Sequence, residues 1–197
     1  MCLFVSLCIC KQAEGAKSTM AQEKCITVSD LRQQASSLRA GDRVLLSGVV
    51  YTSRDAAHKR INALLDEGGE LPYPLKDAVI YYAGATPAPA HLPIGACGPT
   101  TSGRMDVYAP RFYDEGVCAT IGKGKRSAAV VQAIVRNGGV YLCAIGGAGA
   151  LAAQSVKSCE VIAFDDLGCE AVKRLEVEDF PLIVAVDCHG GDLFAEK

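Results

Sequence analysis

The chain lacks the sequence features that mark several common classes of protein. Its 197 residues include ten cysteines, but no two of them have the C-x-x-C spacing of zinc and redox motifs. The three histidines, His58, His91 and His189, are far apart in the sequence, which argues against a metal site built by this chain alone. No complete G-x-x-x-x-G-K-S/T loop occurs either. These absences argue against zinc-binding, dithiol redox and P-loop nucleotide-binding proteins.

The chain also lacks an excess of basic residues and a long apolar run. Its 20 Lys and Arg residues and 22 Asp and Glu residues give a net charge of −2. A general binder of nucleic acid or anionic membranes would need a basic face. The opening run MCLFVSLCIC has about ten residues and is too short to span a membrane. We therefore expect neither nucleic acid nor a membrane as a partner, and any anion-binding site must be local.

The length of the chain predicts a single domain with a substantial core. The first 20 residues carry no basic residue before the apolar run and no small-residue cleavage site. We interpret residues 1–20 as an N-terminal extension without fixed structure, with Met20 as an alternative start, and residues 21–197 as one domain. Cysteines such as Cys118 and Cys143 lie inside apolar runs, which favours free thiols in a reducing cytoplasm.

The order of predicted elements indicates the fold class. Strand-like runs such as RVLLSGVVY, DAVIYYAG and VCATIG alternate with stretches of helical periodicity. This alternation predicts an α/β fold with a mainly parallel central sheet. The last third contains three strand-like runs, CEVIAF, AVKRLEVED and PLIVAVDC, with little helix between them. We therefore expect an additional antiparallel layer or edge.

Four junctions between a predicted strand and the next predicted helix are candidate ligand sites. In open α/β sheets, ligands collect beyond the carboxyl ends of the strands, where helix N-termini present unpaired amides. Three of the four junctions contain a basic residue, and the sequences are YTSRDAAH, CGPTTSGRMD, IGKGKRS and IGGAGA.

These junctions have an ordinary structural interpretation and a functional one. In the ordinary interpretation, Ser53 and Ser102 cap helices, Arg54 and Arg104 are solvated, and residues 123–126 form an exposed turn. In the functional interpretation, the basic residues converge on one binding site for a small ligand with two negatively charged groups. A guanidinium can hold a carboxylate through two parallel hydrogen bonds, and a lysine adds a point charge.

The residues do not supply a complete catalyst. No plausible Ser-His-Asp order is present, and Asp187 near His189 is typical of a strand end entering a hairpin rather than of a catalytic dyad. The hydroxyl of Thr100 could accept a proton only if a neighbouring group or a metal lowers the cost of its ionisation. The candidate site therefore has groups that could bind an anion but lacks a complete set of catalytic groups, so it looks like half of a site.

Several motifs closely resemble the β subunit of two-subunit class I fumarases. The same region is similar to the β subunit of L(+)-tartrate dehydratase and to the C-terminal half of single-chain class I fumarases. The likeness covers roughly residues 26–194 in order. It is carried by TSRDAAHKRI, GPTTSGRMD, GKGKRS, YLCAIGGAGALAAQSVKS and LEVEDFPLIVAVDCHGGDLF.

The resemblance implies an iron–sulfur hydro-lyase that adds water to, or removes it from, a four-carbon dicarboxylate. It implies that an α subunit binds the four-iron four-sulfur cluster, so that this chain provides no metal ligand. It further implies a swivelling β/β/α domain that closes over the site, in a hetero-oligomer of αβ or α2β2 form. The expected reaction is the hydration of fumarate to L-malate. Alternatives are the dehydration of L(+)-tartrate to oxaloacetate, a methylfumarate reaction, and a stand-alone dicarboxylate-binding module.

The resemblance also implies roles for individual residues. Arg54 and Arg104 would hold the substrate carboxylates. Thr100 would be the catalytic base, beside an acidic group from the α subunit, with Thr101 as its alternative. Lys123 would assist catalysis, and spacing alone distinguishes it from Lys125, an extra basic residue in the same turn.

Overall fold

The computed structural model describes residues 23–144, residue 147 and residues 149–195. The expected N-terminal extension, residues 1–20, lies outside the described residues, and so does part of the IGGAGA junction. Strands and helices alternate along most of the described chain, as the sequence predicts. Their bounds are β1 Lys24–Thr27, α1 Val28–Gln34, β2 Arg43–Thr52, α2 Asp55–Glu67, β3 Val79–Tyr81, α3 Ala109–Asp114, β4 Ala119–Gly122, α4 Ala128–Arg136, β5 Val140–Cys143, α5 Gly149–Gln154, β6 Val156–Ala163 and β7 Val172–Val186.

Three short 3₁₀ helices connect these elements: Ala35–Ser37, Ser102–Met105 and Asp165–Glu170. The helix α2 ends at Gly68, which adopts the left-handed conformation (φ 66°, ψ 27°) that glycine tolerates. No described helix is long and apolar enough to cross a membrane.

The first five strands form the parallel part of the sheet. They are adjacent in the order β1-β2-β3-β4-β5, and each neighbouring pair is parallel. The two remaining strands, β6 and β7, pair antiparallel within the same sheet. The prediction of a mixed α/β fold with mainly parallel strands and added antiparallel strands is therefore confirmed.

The long strand β7 corrects one sequence prediction. The runs AVKRLEVED and PLIVAVDC were expected to form two strands, but residues 172–186 form a single strand of 15 residues. Asp179 has a positive φ of 50° and precedes Pro181, which makes the sequence resemble a turn. The strand continues because β2 pairs with it on both sides of that point, with a register shift between Leu46 and Gly48.

β7 also closes the sheet on itself. It pairs with β2 through residues 173–183 and with β5 through residues 183–186, so the pairings run in a circuit through β2, β3, β4, β5 and β7. Alternate residues of the parallel strands face two different hydrophobic clusters. Val79 and Tyr81 pack in the largest cluster, whereas Ile80 and Tyr82 pack against α2 and α3. Burial on both faces explains why these strands read as continuous apolar runs.

Because β2 to β5 are neighbours and parallel, their carboxyl ends lie at the same edge of the sheet. The segments that follow β2, β4 and β5 therefore begin at one edge. CGPTTSGRMD reaches the same edge because the N–H of Thr100 donates to the carbonyl of Tyr82, directly after β3.

Candidate functional site

The first junction turns sharply from β2 into α2. The backbone N–H of Ser53 donates to the carbonyl of Tyr81 on β3 (3.1 Å), and Arg54 occupies the N-cap position of α2 with extended backbone. The hydroxyl of Ser53 lies 2.7 Å from Nδ1 of His58 and makes no capping hydrogen bond. The prediction of a Ser53 cap is therefore wrong, because this hydroxyl is buried against a histidine that follows one turn later.

His58 anchors this corner from inside the protein. Its Nδ1 also lies 3.0 Å from the carbonyl oxygen of Arg54, and its ring stacks on Phe112 with centroids 4.8 Å apart. Burial lowers the pKa of His58 to about 4, so the ring is neutral near pH 7. Sequence reasoning gave His58 no role beyond its isolation from the other histidines. Its position holds the backbone that carries Arg54.

The side chain of Arg54 is packed rather than solvated, which corrects the ordinary interpretation. Its Nη2 lies 3.2 Å from Oε1 of Glu170 and 3.8 Å from Oδ2 of Asp55. The side chain is only 18% exposed. It passes so close to Gly84 that a Cβ at that position would lie 2.8 Å from Nη1 of Arg54. A larger residue than glycine would therefore displace the guanidinium.

Arg104 reaches the same carboxylate from another segment. It lies in the 3₁₀ helix Ser102–Met105, and its Nε is 2.9 Å from Oδ1 of Asp55. The Arg104 side chain is about half exposed, at 52%. Asp55 thus lies between two guanidinium groups that are 50 positions apart in the sequence. The structure brings Arg54 and Arg104 together; their role as carboxylate ligands stays a prediction.

The two threonines take different positions beside β3 and β4. The N–H of Thr100 donates to the carbonyl of Tyr82 (2.7 Å), and the residue is half-buried. Thr101 is exposed and pairs with Lys123 in an isolated parallel bridge. Lys123 is therefore directly beside Thr101, while Lys125 lies further along the exposed turn. Neither lysine forms an ion pair with any residue that the structure describes.

Ser102 hydrogen-bonds the segment GPTTSGRMD to residues beside β4 and on β5 instead of capping a helix. Its Oγ accepts hydrogen bonds from the N–H of Lys123 (3.1 Å) and from the hydroxyl of Tyr141 (2.9 Å). A Cβ on Gly122 would lie 1.9 Å from this oxygen, so only glycine fits opposite it. The predicted Ser102 cap is wrong, since the helix here is a short 3₁₀ turn with no side-chain cap. The helix α3 begins only at Ala109, with Pro110 in its first turn.

The basic turn after β4 is not uniformly exposed. Arg126 is buried, with its Nε 2.7 Å from Oδ1 of Asp106 and its guanidinium near the rings of Tyr82 and Tyr141 (5.3 and 4.8 Å). Its Nη1 donates to the hydroxyl of Thr120 (3.0 Å). The interpretation of residues 123–126 as an exposed turn is therefore wrong for Arg126. Its side chain is buried and bonded to Asp106 and Thr120, so it supports the turn and is not available to a ligand.

The stretch around Gly98 also touches the start of α5. The N–H of Cys97 donates to the carbonyl of Gly149 (3.0 Å), and a Cβ on Gly149 would lie 3.1 Å from the nitrogen of Gly98. The junctions CGPTTSGRMD and IGGAGA are therefore in direct contact at Gly98 and Gly149.

Asp187 near His189 forms a turn, as the sequence predicts. The Asp187 carboxylate accepts hydrogen bonds from the backbone N–H groups of Ala40, His189 and Gly191 (2.9, 2.8 and 2.9 Å). The His189 ring instead faces the carbonyl of Ser36 (2.9 Å). These contacts stabilise a loop after β7 and provide no acid–base pair.

The described cysteines do not fit an iron–sulfur cluster, which needs several thiolates around one point. No group of three His, Cys, Asp or Glu side chains in the described part of the chain is placed to hold a metal ion. Burial raises the pKa of Cys97 to about 12 and that of Cys118 to about 11, so both remain thiols.

Comparisons with known proteins show which family this chain is similar to. The model of a family described as fumarase C-terminus matches residues 8–197. Fumarate hydratase 2 of Leishmania major is 43% identical over 171 residues, which cover 86% of this chain and 30% of that protein. The anaerobic class I fumarate hydratase of Escherichia coli strain K12 is 42% identical over 171 residues, with coverage of 86% and 31%. The chain therefore spans about a third of the length of these fumarate hydratases.

A shorter relative matches nearly end to end. A protein of Methanocaldococcus jannaschii, provisionally assigned as L(+)-tartrate dehydratase subunit beta, is 39% identical over 171 residues, which cover 84% of this chain and 88% of that protein. With the family model matching almost the whole sequence, this chain belongs to the fumarase C-terminus family.

Proposed function

We propose that the chain is the β subunit of an iron–sulfur hydro-lyase that hydrates fumarate reversibly to L-malate together with an α subunit. The observation that carries the proposal is the convergence of Arg54 and Arg104, from two separate junctions, on the single carboxylate of Asp55. Two guanidinium groups at one edge of the sheet suit a ligand with two carboxylates. The names of the relatives support the same chemistry, since they include fumarate hydratases and an L(+)-tartrate dehydratase subunit.

The proposed roles of the residues are those that the resemblance to class I fumarases implies, and the chemical type of each side chain is compatible with its role. Arg54 and Arg104 bind the substrate carboxylates, and Lys123 adds positive charge and assists catalysis, with Lys125 as the alternative. Thr100 transfers the proton, with Thr101 as the alternative. The alkoxide of a threonine is a strong base that needs nearby positive charge to form. Lys123 forms a backbone bridge with Thr101, the neighbour of Thr100, and is the residue proposed to supply that charge.

The remaining parts of the enzyme are assigned to the partner. Because the described cysteines of this chain do not fit a cluster, we propose that the four-iron four-sulfur cluster is bound by the α subunit. When bound there, the cluster supplies Lewis-acid activation of the substrate hydroxyl. This chain is then one swivelling β/β/α domain, residues 21–197, in a cytoplasmic αβ or α2β2 assembly.

Tartrate dehydration is the second candidate function. It is favoured by the M. jannaschii relative, because the chain covers 88% of that protein rather than a third of a longer one. Parallel assays of the purified complex with malate, L(+)-tartrate and methylfumarate distinguish these substrates. A stand-alone binding module would instead purify alone, without colour and without turnover.

Replacement of Arg104 tests the proposed function. In the complex with the α subunit, Arg104→Ala should lower kcat/KM about ten- to a hundredfold, because it removes a charge-assisted hydrogen-bond partner of the substrate worth about 1.5–3 kcal/mol. Steady-state hydration of fumarate measures the effect, and size-exclusion chromatography checks that assembly is retained.

A matched control is Arg136→Ala. Arg136 is exposed to a similar degree (48%) and also pairs with one aspartate, Asp114 at 2.6 Å, but it lies on α4. We expect its kinetics to match those of the wild type. Unchanged kinetics for Arg104→Ala would remove the carboxylate-binding role, and normal turnover by this chain alone would refute the need for a partner.

A further inference from the structure

The guanidinium of Arg54 is held by an acidic residue from the far end of the chain. Oε1 of Glu170 lies 3.2 Å from Nη2 of Arg54, and both side chains are largely buried, with 22% and 18% exposed. The Nε of Arg54 is buried and has no hydrogen-bond partner within the described residues. Its orientation therefore depends on the contacts at the Nη groups.

Glu170 holds more than the side chain of Arg54. Its second oxygen, Oε2, accepts the N–H of Ala56 in the first turn of α2 (3.2 Å). A carboxylate at that place also interacts favourably with the positive end of the helix. One glutamate thus fixes both the guanidinium of Arg54 and the backbone that follows it.

The turn that carries Glu170 is itself fixed from inside the sheet. The buried Lys173 on β7 extends its Nζ to the carbonyl oxygens of Gly168, Cys169 and Ala171, each at 3.3 Å. These carbonyls flank Glu170 on both sides. A continuous set of contacts therefore runs from β7 through the 3₁₀ helix Asp165–Glu170 to Arg54.

We propose that Glu170 is a positioning residue that holds Arg54 in the orientation in which it binds a substrate carboxylate. This inference rests on the proposed function. Asp55 is less informative as a test, because it contacts Arg104 as well as Arg54 and its replacement would disturb both arginines.

Neutralisation of Glu170 distinguishes positioning from a simple charge effect, because the two predict changes in KM of opposite sign. If Glu170 only places a negative charge near the site, then its neutralisation reduces repulsion of a dianionic substrate and lowers KM. If Glu170 positions Arg54, its neutralisation lets the guanidinium reorient and raises KM. An arginine that binds the carboxylate in both the ground state and the transition state affects KM more than kcat.

Glu170→Gln is the test variant, and Asp166→Asn is its matched control. Asp166 lies in the same 3₁₀ helix and also pairs with an arginine of α2, Arg60, at 2.7 and 2.5 Å, but this pair is exposed and does not touch Arg54. In the complex with the α subunit, we expect Glu170→Gln to raise KM for fumarate about tenfold with a smaller change in kcat. Asp166→Asn should leave both constants unchanged. An unchanged or lowered KM in Glu170→Gln overturns the proposal.

A second measurement does not depend on activity. In the full-length chain labelled with ¹⁵N-arginine, a held Arg54 should give separate Nη signals because rotation of its guanidinium is slow. These signals should merge in Glu170→Gln and stay separate in Asp166→Asn; signals that stay separate in Glu170→Gln refute positioning. If the wild-type complex hydrates no dicarboxylate, the proposed function fails, while the positioning of Arg54 by Glu170 stands or falls on this spectrum.

Discussion

His58 is enclosed by aromatic rings and carries no charge near pH 7. Because burial lowers its pKa from 6.5 to about 4, the unfolded chain binds a proton between these values while the folded chain does not. Stability contributed by the neutral ring is therefore complete above pH 6.5 and is lost as pH falls toward 4. From this shift we expect the free energy of unfolding to fall by about 2 kcal/mol between pH 7 and pH 5.

Urea unfolding at both pH values measures this loss. In His58→Gln the dependence on pH in this window should largely disappear, even though the variant is less stable at pH 7. His91→Gln, which changes an exposed histidine, should retain the wild-type dependence. Equal slopes for the two variants would contradict the role of His58.

At the scale of an element, the turn between β4 and α4 depends on one buried ion pair. The Asp106 carboxylate accepts hydrogen bonds from Nε of Arg126 (2.7 Å) and from the N–H of Ser127 at the start of α4 (2.6 Å). The Arg126 side chain is fully buried, and that of Asp106 is 13% exposed. The pair therefore joins the segment carrying Arg104 to the turn carrying Lys123.

Arg126→Met should lower the free energy of unfolding by about 3–5 kcal/mol, because removing one partner leaves the other charge buried without compensation. Chemical denaturation measures the change. Arg136→Met removes the exposed pair with Asp114 and should cost no more than about 1 kcal/mol. Similar losses in both variants would indicate that burial of the Arg126 pair is unimportant.

At the scale of the whole molecule, β7 and β2 hold the sheet closed. Ile183 of β7 pairs with β2 on one side and β5 on the other, and residues 173–177 pair with β2 and β6, whereas the described part of the chain pairs β6 with β7 alone. Strands with two partners open only when the circuit of strands breaks.

Amide hydrogen exchange should therefore be slowest in residues 182–184 of β7, at the rate of global unfolding, and faster in β6. Exchange monitored by NMR at each amide measures the difference. Equal protection of β6 and β7 would show that the whole sheet opens as one unit.

Part of the site could be read from local sequence. Each junction is a contiguous motif of glycines and charged residues that follows a predicted strand. Because the carboxyl ends of parallel strands share one edge, the strand–helix alternation predicted that Arg54, Arg104 and Lys123 lie at that edge. Local signals failed where a side chain has a distant partner. Ser53 and Ser102 have the sequence of helix caps, yet their hydroxyls bond to His58 and Tyr141.

The sequence by itself determined the fold class, the order of the elements, the junctions with basic residues and the family, because these depend on short-range periodicity and on contiguous motifs. Only the tertiary structure decided that Glu170 contacts Arg54, that Arg126 is buried and that β7 is continuous. The physical reason is that such contacts depend on the register of strands far apart in the chain. Glu170 meets α2 across 114 positions, and no local pattern encodes that pairing.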